Sequence, residues 1–157
     1  MIKKEIIQYG VEMQEERNIL VEEFRHPWEG NSINSPKQVY QFCCDALHLE
    51  RKAEEFFYVI ATNTKYKVLG VFEISHGTVN ASFANPREIF LRILLCGAAS
   101  FFCVHNHPSG DCFPSKSDME TTKRLKECGD LMKVYLTDHI IVGRDQYFSF
   151  REDSEVL

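Results

Sequence analysis

The chain has 157 residues, of which 44% are hydrophobic and 26% are charged, a composition typical of one globular domain. A chain of this length buries enough apolar surface to fold without disulfides or a structural metal. Its 18 basic and 23 acidic side chains give a net charge of −5, which argues against a broad basic surface for nucleic acid, although it does not exclude a small local patch.

The apolar runs and the cysteines indicate the compartment in which the protein is expected. No apolar run reaches the roughly 20 residues that span a bilayer, and no apolar signal-peptide region follows Met1. Six cysteines occur without a CxxC pair, which favours reduced thiols over a disulfide framework. We therefore expect a cytoplasmic protein with no membrane association.

The first 34 residues have the weakest pattern in the chain. Apolar residues are scattered among charges there, so that a strand pair and an amphipathic helix fit equally well. We expect residues 1–34 to form an N-terminal extension packed on a main domain at residues 35–157. Ser35 and Pro36, typical of an N-cap and a first helical position, then predict a helix over about 36–50.

The middle of the chain alternates between strand and helix patterns. Runs rich in β-branched and aromatic residues at 56–61 and 66–72 flank a turn and predict a hairpin. Asn85 and Pro86 open a second helix, and Gly97 ends it. The apolar run at 100–105 predicts a short buried strand.

The last third of the chain predicts one further helix and several strands. The helix begins at about Ser115–Ser117 and stops at Gly129. Short strands are expected at 134–136, 140–142 and 147–150, around Gly143. Hairpins, strands and interspersed helices together predict an α/β domain with a mixed sheet.

Two histidines one residue apart, His105 and His107, form the most distinctive feature of the sequence. Because residues two apart on a strand face the same side, both imidazoles can converge on one ion. Prolines and a glycine in the following loop turn the chain, which can bring Asp118 back to supply an oxygen ligand. Two nitrogens and one carboxylate leave a fourth position for water, as in catalytic zinc sites.

A simpler interpretation of the same segment is structural. Ser115 and Asp118 stand three residues apart at a helix start and can form a capping box. A single histidine at the end of a buried strand is usually a core or capping residue. The capping box and metal ligation do not exclude each other, and the paired spacing of His105 and His107 favours a metal site.

At these residues the chain resembles a known family. His105, His107, Pro108, Ser115 and Asp118 match the HxHP–x6–SxxD pattern of the JAMM motif in JAB/MPN metalloproteases. Four further blocks in the same order resemble the RadC-like branch, and they are Gly77-Thr78, Pro86-Arg87-Glu88, Arg124-Leu125-Lys126-Glu127 and Asp138-His139-Ile140-Ile141-Val142-Gly143.

The resemblance covers about residues 35–150 and carries expectations about fold and site. It implies a single JAB/MPN-like (cytidine-deaminase-like) α/β domain, with a mixed, mostly antiparallel sheet flanked by helices. It also implies Zn²⁺ bound by His105, His107 and Asp118 at the end of the sheet. The helix-hairpin-helix region of longer RadC-like chains is not recognisable in residues 1–34, so we expect a stand-alone module.

The family also has a glutamate, upstream of the HxH, that acts on the zinc-bound water. In RadC-like chains it opens the first hairpin strand in a Glu-x-Phe pattern, which Glu55 matches. Glu54 is one residue out of register, and alternating strand faces prevent both from facing the site. Glu73, on the partner strand, is a weaker alternative.

The resemblance implies a metallopeptidase or isopeptidase that hydrolyses an amide bond in an unidentified peptide or protein. Glu55 would act as the base, and Ser115 would donate a hydrogen bond to the developing oxyanion. Two other functions stay open: a non-catalytic MPN-type interaction module, and an accessory role in DNA repair or recombination, with which RadC-like proteins are often labelled.

Two further residues have no assigned role at this stage. His139 belongs to the RadC-like blocks, and we expect it either to support a site residue or to be structural. Cys112 stands where RadC-like chains more often have proline. It is either inert or a thiolate that caps the open zinc position and suppresses activity.

Overall fold

A computed structural model describes residues 4–30, 32–77 and 84–157 of the chain. Four helices and seven strands lie in these ranges, with a short 3-10 turn at Leu49–Arg51. In chain order they are β1 (Glu5–Gln14), β2 (Arg17–Pro27), α1 (Pro36–Asp45), β3 (Glu55–Thr62), β4 (Val68–Gly77), α2 (Pro86–Leu95), β5 (Ser100–Asn106), α3 (Lys116–Met132), β6 (Tyr135–Val142), β7 (Tyr147–Ser149) and α4 (Phe150–Asp153). Thr78, part of one RadC-like block, lies outside the described residues.

All seven strands belong to one sheet, in the order β2-β1-β4-β3-β5-β6-β7. The pairs β1–β4 and β5–β6 are parallel, and the other four pairs are antiparallel. The predicted α/β class with a mixed, mostly antiparallel sheet is therefore confirmed. Among the described residues, no helix has the length and apolar character needed to cross a membrane.

The N-terminal segment is a strand pair, one of the two structures that its pattern allowed. β1 and β2 pair from Glu5↔Pro27 to Gln14↔Arg17 and are joined by a tight turn. Glu15 and Glu16 hold positive φ angles of 47° and 64° in that turn. Because β1 also pairs with β4 through Gln8↔Val71, the hairpin continues the sheet of the main domain.

The first two helices follow their capping signals. Ser35 caps α1 and Asn85 caps α2, each by accepting a backbone N–H through its side chain. Gly97, with φ of 70°, follows the end of α2 as predicted. The predicted helix over about 36–50 is too long, because α1 ends at Asp45 and His48 then turns the chain with φ of 54°.

The predicted stop of α3 at Gly129 is wrong, since the helix continues to Met132. A Cβ at Gly129 would lie 2.6 Å from the carbonyl oxygen of Val134, so the glycine allows the chain leaving the helix to pass close by. The helix ends instead at Lys133, which adopts the left-handed conformation with φ of 58°.

The tail also differs from its prediction. The expected strands at 134–136 and 140–142 are one strand, β6, because the segment between them pairs with β5. Asp138 and His139, the polar residues in the middle of β6, are buried. Phe150 begins α4 and does not continue β7.

Apolar clusters cover both faces of the sheet and determine which side chains reach the site. The face under α1 buries Phe42, Tyr58 and Val104, among others. The opposite face, under α2 and α3, buries Phe57, Phe101 and Cys103. Every residue of β5 is buried, and since strand faces alternate, His105 lies on the same face as Phe101 and Cys103.

Candidate metal centre

The ends of three elements meet at one edge of the sheet. β5 ends at Asn106, so His105 and His107 lie at its end. β3 runs antiparallel to β5 with Phe57 opposite His105, which brings its first residue, Glu55, beside the histidines. The first turn of α3 supplies Asp118 from the face that carries His105.

The four side chains form one cluster in which their ligand atoms lie within 4.8 Å of one another. His105 Nε2 and His107 Nε2 are 3.0 Å apart. Asp118 Oδ1 lies 3.2 Å from His105 Nε2, and its Oδ2 lies 3.3 Å from His107 Nε2. Glu55 Oε1 is 3.9 Å from His105 Nε2. All four of these residues were predicted as site residues, and the fold brings them together.

Ser115 and Asp118 form the capping box that the spacing allowed. The Ser115 hydroxyl accepts the Asp118 N–H at 3.1 Å, and Asp118 Oδ2 accepts the Ser115 N–H at 2.7 Å. The same carboxylate faces both histidines. The capping box is therefore confirmed, and it leaves the Asp118 carboxylate in a position to serve as a metal ligand.

The alternative glutamates are positioned differently from Glu55. Glu54 precedes β3 and has an exposed side chain, and its backbone carbonyl accepts an N–H from Asn106 at 3.0 Å. Glu73 contacts His76 at 2.7 Å and the Tyr58 hydroxyl at 3.5 Å. Tyr58 packs on the α1 side of the sheet, away from the histidines.

Asn106, between the two histidines, is a site residue that sequence reasoning did not single out. Its Oδ1 accepts the Phe56 N–H at 2.7 Å, while its side-chain amide donates to Glu54. These two bonds hold the start of β3 against the end of β5, which keeps Glu55 beside His105. Only the position of Asn106 inside the His-x-His pattern hinted at a role.

Both histidines direct Nε2 into the cluster because Nδ1 has another partner. His107 Nδ1 lies 2.9 Å from the carbonyl oxygen of Asp111. His105 Nδ1 lies 2.8 Å from Nε2 of His139, which is fully buried. His139 is thus in direct contact with a site residue, and Thr122 in α3 contacts its other ring nitrogen at 2.6 Å.

Burial and mutual contacts shift the protonation of the cluster. Burial alone would raise the pKa of Asp118, but hydrogen bonds with His105 and His107 outweigh it and hold that pKa well below its usual range. Burial would lower the pKa of His107, but its bonds to Asp118 and to the Asp111 carbonyl raise it. Burial raises the pKa of Glu55 despite the nearby histidines. Burial and then His105 hold the pKa of His139 well below its usual range.

A cavity of about 680 Å³ opens onto the cluster. Glu55, His105, His107 and Asp118 line it, together with Ser115 and the exposed Glu54. Cys112 does not line this cavity; it packs against Gly143, and burial raises the pKa of its thiol. This placement does not support the hypothesis that Cys112 caps a metal as a thiolate.

Comparison with known proteins agrees with this geometry. The model of the family described as RadC-like JAB domain matches residues 33–155. The chain therefore belongs to the RadC-like JAB domain family, as the His-x-His and Asp pattern indicated. The match contains the whole candidate metal centre.

Several curated relatives are named only as UPF0758 proteins. The chain is 42% identical to one from Thermotoga maritima over 79% of its own length and 54% of the relative. It is 44% identical to one from Geobacillus sp. over 79% of its length, and 44% identical to one from Chlorobaculum parvum over 78%, each alignment covering 54% of the relative. The chain spans about half the length of these relatives.

Proposed function

We propose that this chain is a zinc-dependent metallohydrolase that cleaves an amide bond in a peptide or protein. The observation that carries the proposal is the convergence of His105 Nε2, His107 Nε2 and Asp118 with a buried glutamate beside them in an open cavity. Membership in a JAB family, whose members are typically hydrolytic, supports the reaction class.

The donor set fits zinc. Ligands about 2.0–2.1 Å from a tetrahedral zinc ion are roughly 3.3 Å from one another. The two imidazole nitrogens are 3.0 Å apart, and Asp118 places Oδ1 3.2 Å from His105 Nε2 and Oδ2 3.3 Å from His107 Nε2. Three protein ligands with one position left for water are typical of catalytic zinc sites. Zinc, when bound there, would acidify this water and polarise the scissile carbonyl.

Glu55 is suited to the role of general base. Glu55 is 9% exposed, and its Oε1 lies 3.9 Å from His105 Nε2, close to the proposed ligands but farther from them than they are from each other. Because burial raises its pKa, the carboxylate binds a proton more readily than an exposed glutamate. It would take the proton of the attacking water and pass it to the leaving amine.

Ser115 would stabilise the substrate oxygen on which negative charge develops. Its hydroxyl oxygen accepts the Asp118 N–H, so the hydroxyl proton can be donated into the cavity. A donor fixed by a helix cap needs little reorganisation when charge develops. The amide-cleaving chemistry would thus use one residue from β3 and one from the start of α3.

A matched pair of variants tests the proposal. Purified wild type, Glu55→Gln and His107→Ala are offered zinc, and the bound metal is measured by elemental analysis. Hydrolysis is measured on a peptide library and on an isopeptide-linked peptide, with new amino termini detected by mass spectrometry. Glu55→Gln should retain zinc but lose hydrolysis by about 100- to 10,000-fold, and His107→Ala should lose both.

The outcomes distinguish the candidate functions. Only trace zinc in the wild type, or equal cleavage by wild type and Glu55→Gln, would contradict the proposal. Stoichiometric zinc without cleavage of any probe would favour a non-catalytic interaction module.

A further inference from the structure

A row of buried hydrogen bonds connects His105 to the backbone of α3. Thr122 Oγ1 lies 2.7 Å from the carbonyl oxygen of Asp118 and 2.6 Å from Nδ1 of His139. His139 Nε2 lies 2.8 Å from Nδ1 of His105. The row begins at the backbone of one proposed ligand and ends at the ring of another.

Donor and acceptor chemistry determines which group donates in each hydrogen bond of this row. A carbonyl oxygen only accepts, so the single hydroxyl proton of Thr122 is donated to Asp118. The Thr122 oxygen must then accept from Nδ1–H of His139. A neutral imidazole has one N–H, so His139 Nε2 accepts from Nδ1–H of His105, and the lone pair of His105 is left on Nε2.

The surroundings of His139 enclose its ring and hold it in place. The side chain has no exposed surface. Its ring stacks on Phe150 with centroids 4.9 Å apart and planes inclined by 13°, and Phe57 packs edge-on at 5.5 Å. An ionised ring in such an apolar setting would lose its hydration without compensation.

The opposite tautomer of His139 would leave its Nδ1 without a hydrogen-bond donor. An Nε2–H would donate to His105 and force the proton of His105 onto the nitrogen that faces His107 and Asp118. His139 Nδ1 would then present a lone pair to the Thr122 oxygen at 2.6 Å, with the hydroxyl proton already donated to Asp118. Buried acceptors without a donor are costly.

We propose that Thr122 and His139 are positioning residues that keep a proton on Nδ1 of His105, so that its Nε2 is the ring nitrogen that offers a lone pair to the metal. His107 needs no such device, because the Asp111 carbonyl accepts from its Nδ1–H directly. The inference rests on the proposed function for the metal itself. The row of hydrogen bonds through Thr122 and His139, called the relay below, is formed by the chain's own residues.

Nuclear magnetic resonance tests the relay without any variant. Two-bond ¹H–¹⁵N correlation spectra of the metal-free and the zinc-saturated wild type report which ring nitrogen of each histidine is protonated. His139 should be the Nδ1–H tautomer in both samples, although the Nε2–H tautomer is the more common one in solution. An Nε2–H tautomer of His139 in the metal-free protein would overturn the proposal.

Thr122→Val and Thr122→Ser form a matched pair for the effect on metal. Valine keeps the shape but removes the acceptor for His139, whereas serine retains the hydroxyl. Loss of a group that orients a metal ligand typically weakens affinity by about 10- to 100-fold. Competition with a chelator should show this loss in Thr122→Val and near wild-type zinc affinity in Thr122→Ser.

The results separate this inference from the proposed function. A wild type that does not bind zinc contradicts the proposed function, while the tautomer of His139 still decides the relay. A wild type that binds zinc, with Thr122→Val binding it equally well, contradicts the relay alone. Circular dichroism confirms that each variant is folded, and if Thr122→Val unfolds, the wild-type spectra decide.

Discussion

At the scale of single residues, Asp118 combines a structural and a chemical task in one carboxylate. Its Oδ2 accepts the Ser115 N–H in the capping box and lies 3.3 Å from His107 Nε2. The hydrogen bond from Ser115 orients the carboxylate towards the histidines before any cation arrives. Stability of the helix start and geometry of the site therefore depend on the same atoms.

Ser115 allows the two tasks to be measured separately. Replacing an N-cap serine by alanine costs about 1 kcal/mol, whereas glycine at the same position costs only about a few tenths. Ser115→Ala should lower both the free energy of unfolding and kcat, and Ser115→Gly should lower kcat alone. Urea unfolding and steady-state kinetics on a peptide identified as a substrate measure the two quantities.

The comparison of the two Ser115 variants has a clear contrary result. If the hydroxyl acts only as a cap, kcat of Ser115→Gly will equal that of the wild type. Zinc content serves as the control, because both variants retain the three proposed metal ligands.

At the scale of elements, the close passage of α3 and the chain entering β6 determines where the helix lies. Gly129 makes this passage possible, since its Cα hydrogen faces the Val134 carbonyl. Leu125, one turn earlier, is fully buried in the same layer. The helix carries Asp118 and Thr122 at its other end, so its placement also positions the site.

Gly129→Ala should destabilise the protein, because a Cβ would lie 2.6 Å from a backbone oxygen that no rotamer change can move. Overpacking of this kind typically costs about 1–3 kcal/mol. Thermal and urea unfolding provide the measurement. Lys123→Ala, on the exposed face of the same helix, is the matched control and should change stability by less than about 0.5 kcal/mol. Equal stability of Gly129→Ala and wild type would mean that the passage is not tight.

At the scale of the whole molecule, the fold has two apolar layers, one on each face of the sheet, and the candidate metal centre lies beside the layer under α2 and α3, where His105 stacks on Phe57. Phe42 and Val104 belong to one layer, and Phe72 and Phe101 belong to the other. The apolar side chains of both layers come from residues other than the four of the metal cluster. A chain of this length can fold on such a core alone.

Metal removal should therefore leave a folded protein. After treatment with a chelator, the chain should show an unchanged far-ultraviolet spectrum and one cooperative thermal transition. Zinc at about 100 times its Kd should stabilise the folded state by about 2.7 kcal/mol, which corresponds to roughly 5–10 °C in Tm. Loss of the cooperative transition in the metal-free chain would assign zinc a structural role. His107→Ala, whose Tm should not respond to zinc, is the control.

Local patterns were sufficient for most of the elements and for the three proposed metal ligands. His105 and His107 stand two positions apart on a strand, and Ser115 and Asp118 stand three positions apart at a helix start, so local backbone geometry decides that each pair meets. Caps at Ser35 and Asn85 were recognised for the same reason. The glycine at 129 was misread, because a helix stop and a close backbone contact have the same residue signature.

Contacts between distant segments depended on the tertiary structure. The choice between a helix and a strand pair for the N-terminal segment was made by the pairing of β1 with β2, residues up to 22 positions apart, and of Gln8 with Val71. Strand register decided that Glu55, and not Glu73, lies beside the histidines. Phe57, two residues after Glu55, and Tyr58, which contacts Glu73, lie on opposite faces of β3. The partners of His139, Thr122 and His105, are 17 and 34 residues away in sequence, and no local pattern encodes them.

The sequence by itself thus determined the α/β class, through short-range periodicity, and the family and the proposed metal ligands, through motifs whose residues lie close together in the chain. Only the tertiary structure decided which glutamate faces the histidines and which residues orient the ring of His105. These properties arise from strand register and helix placement, which are set by the packing of the whole core and not by neighbours in the chain.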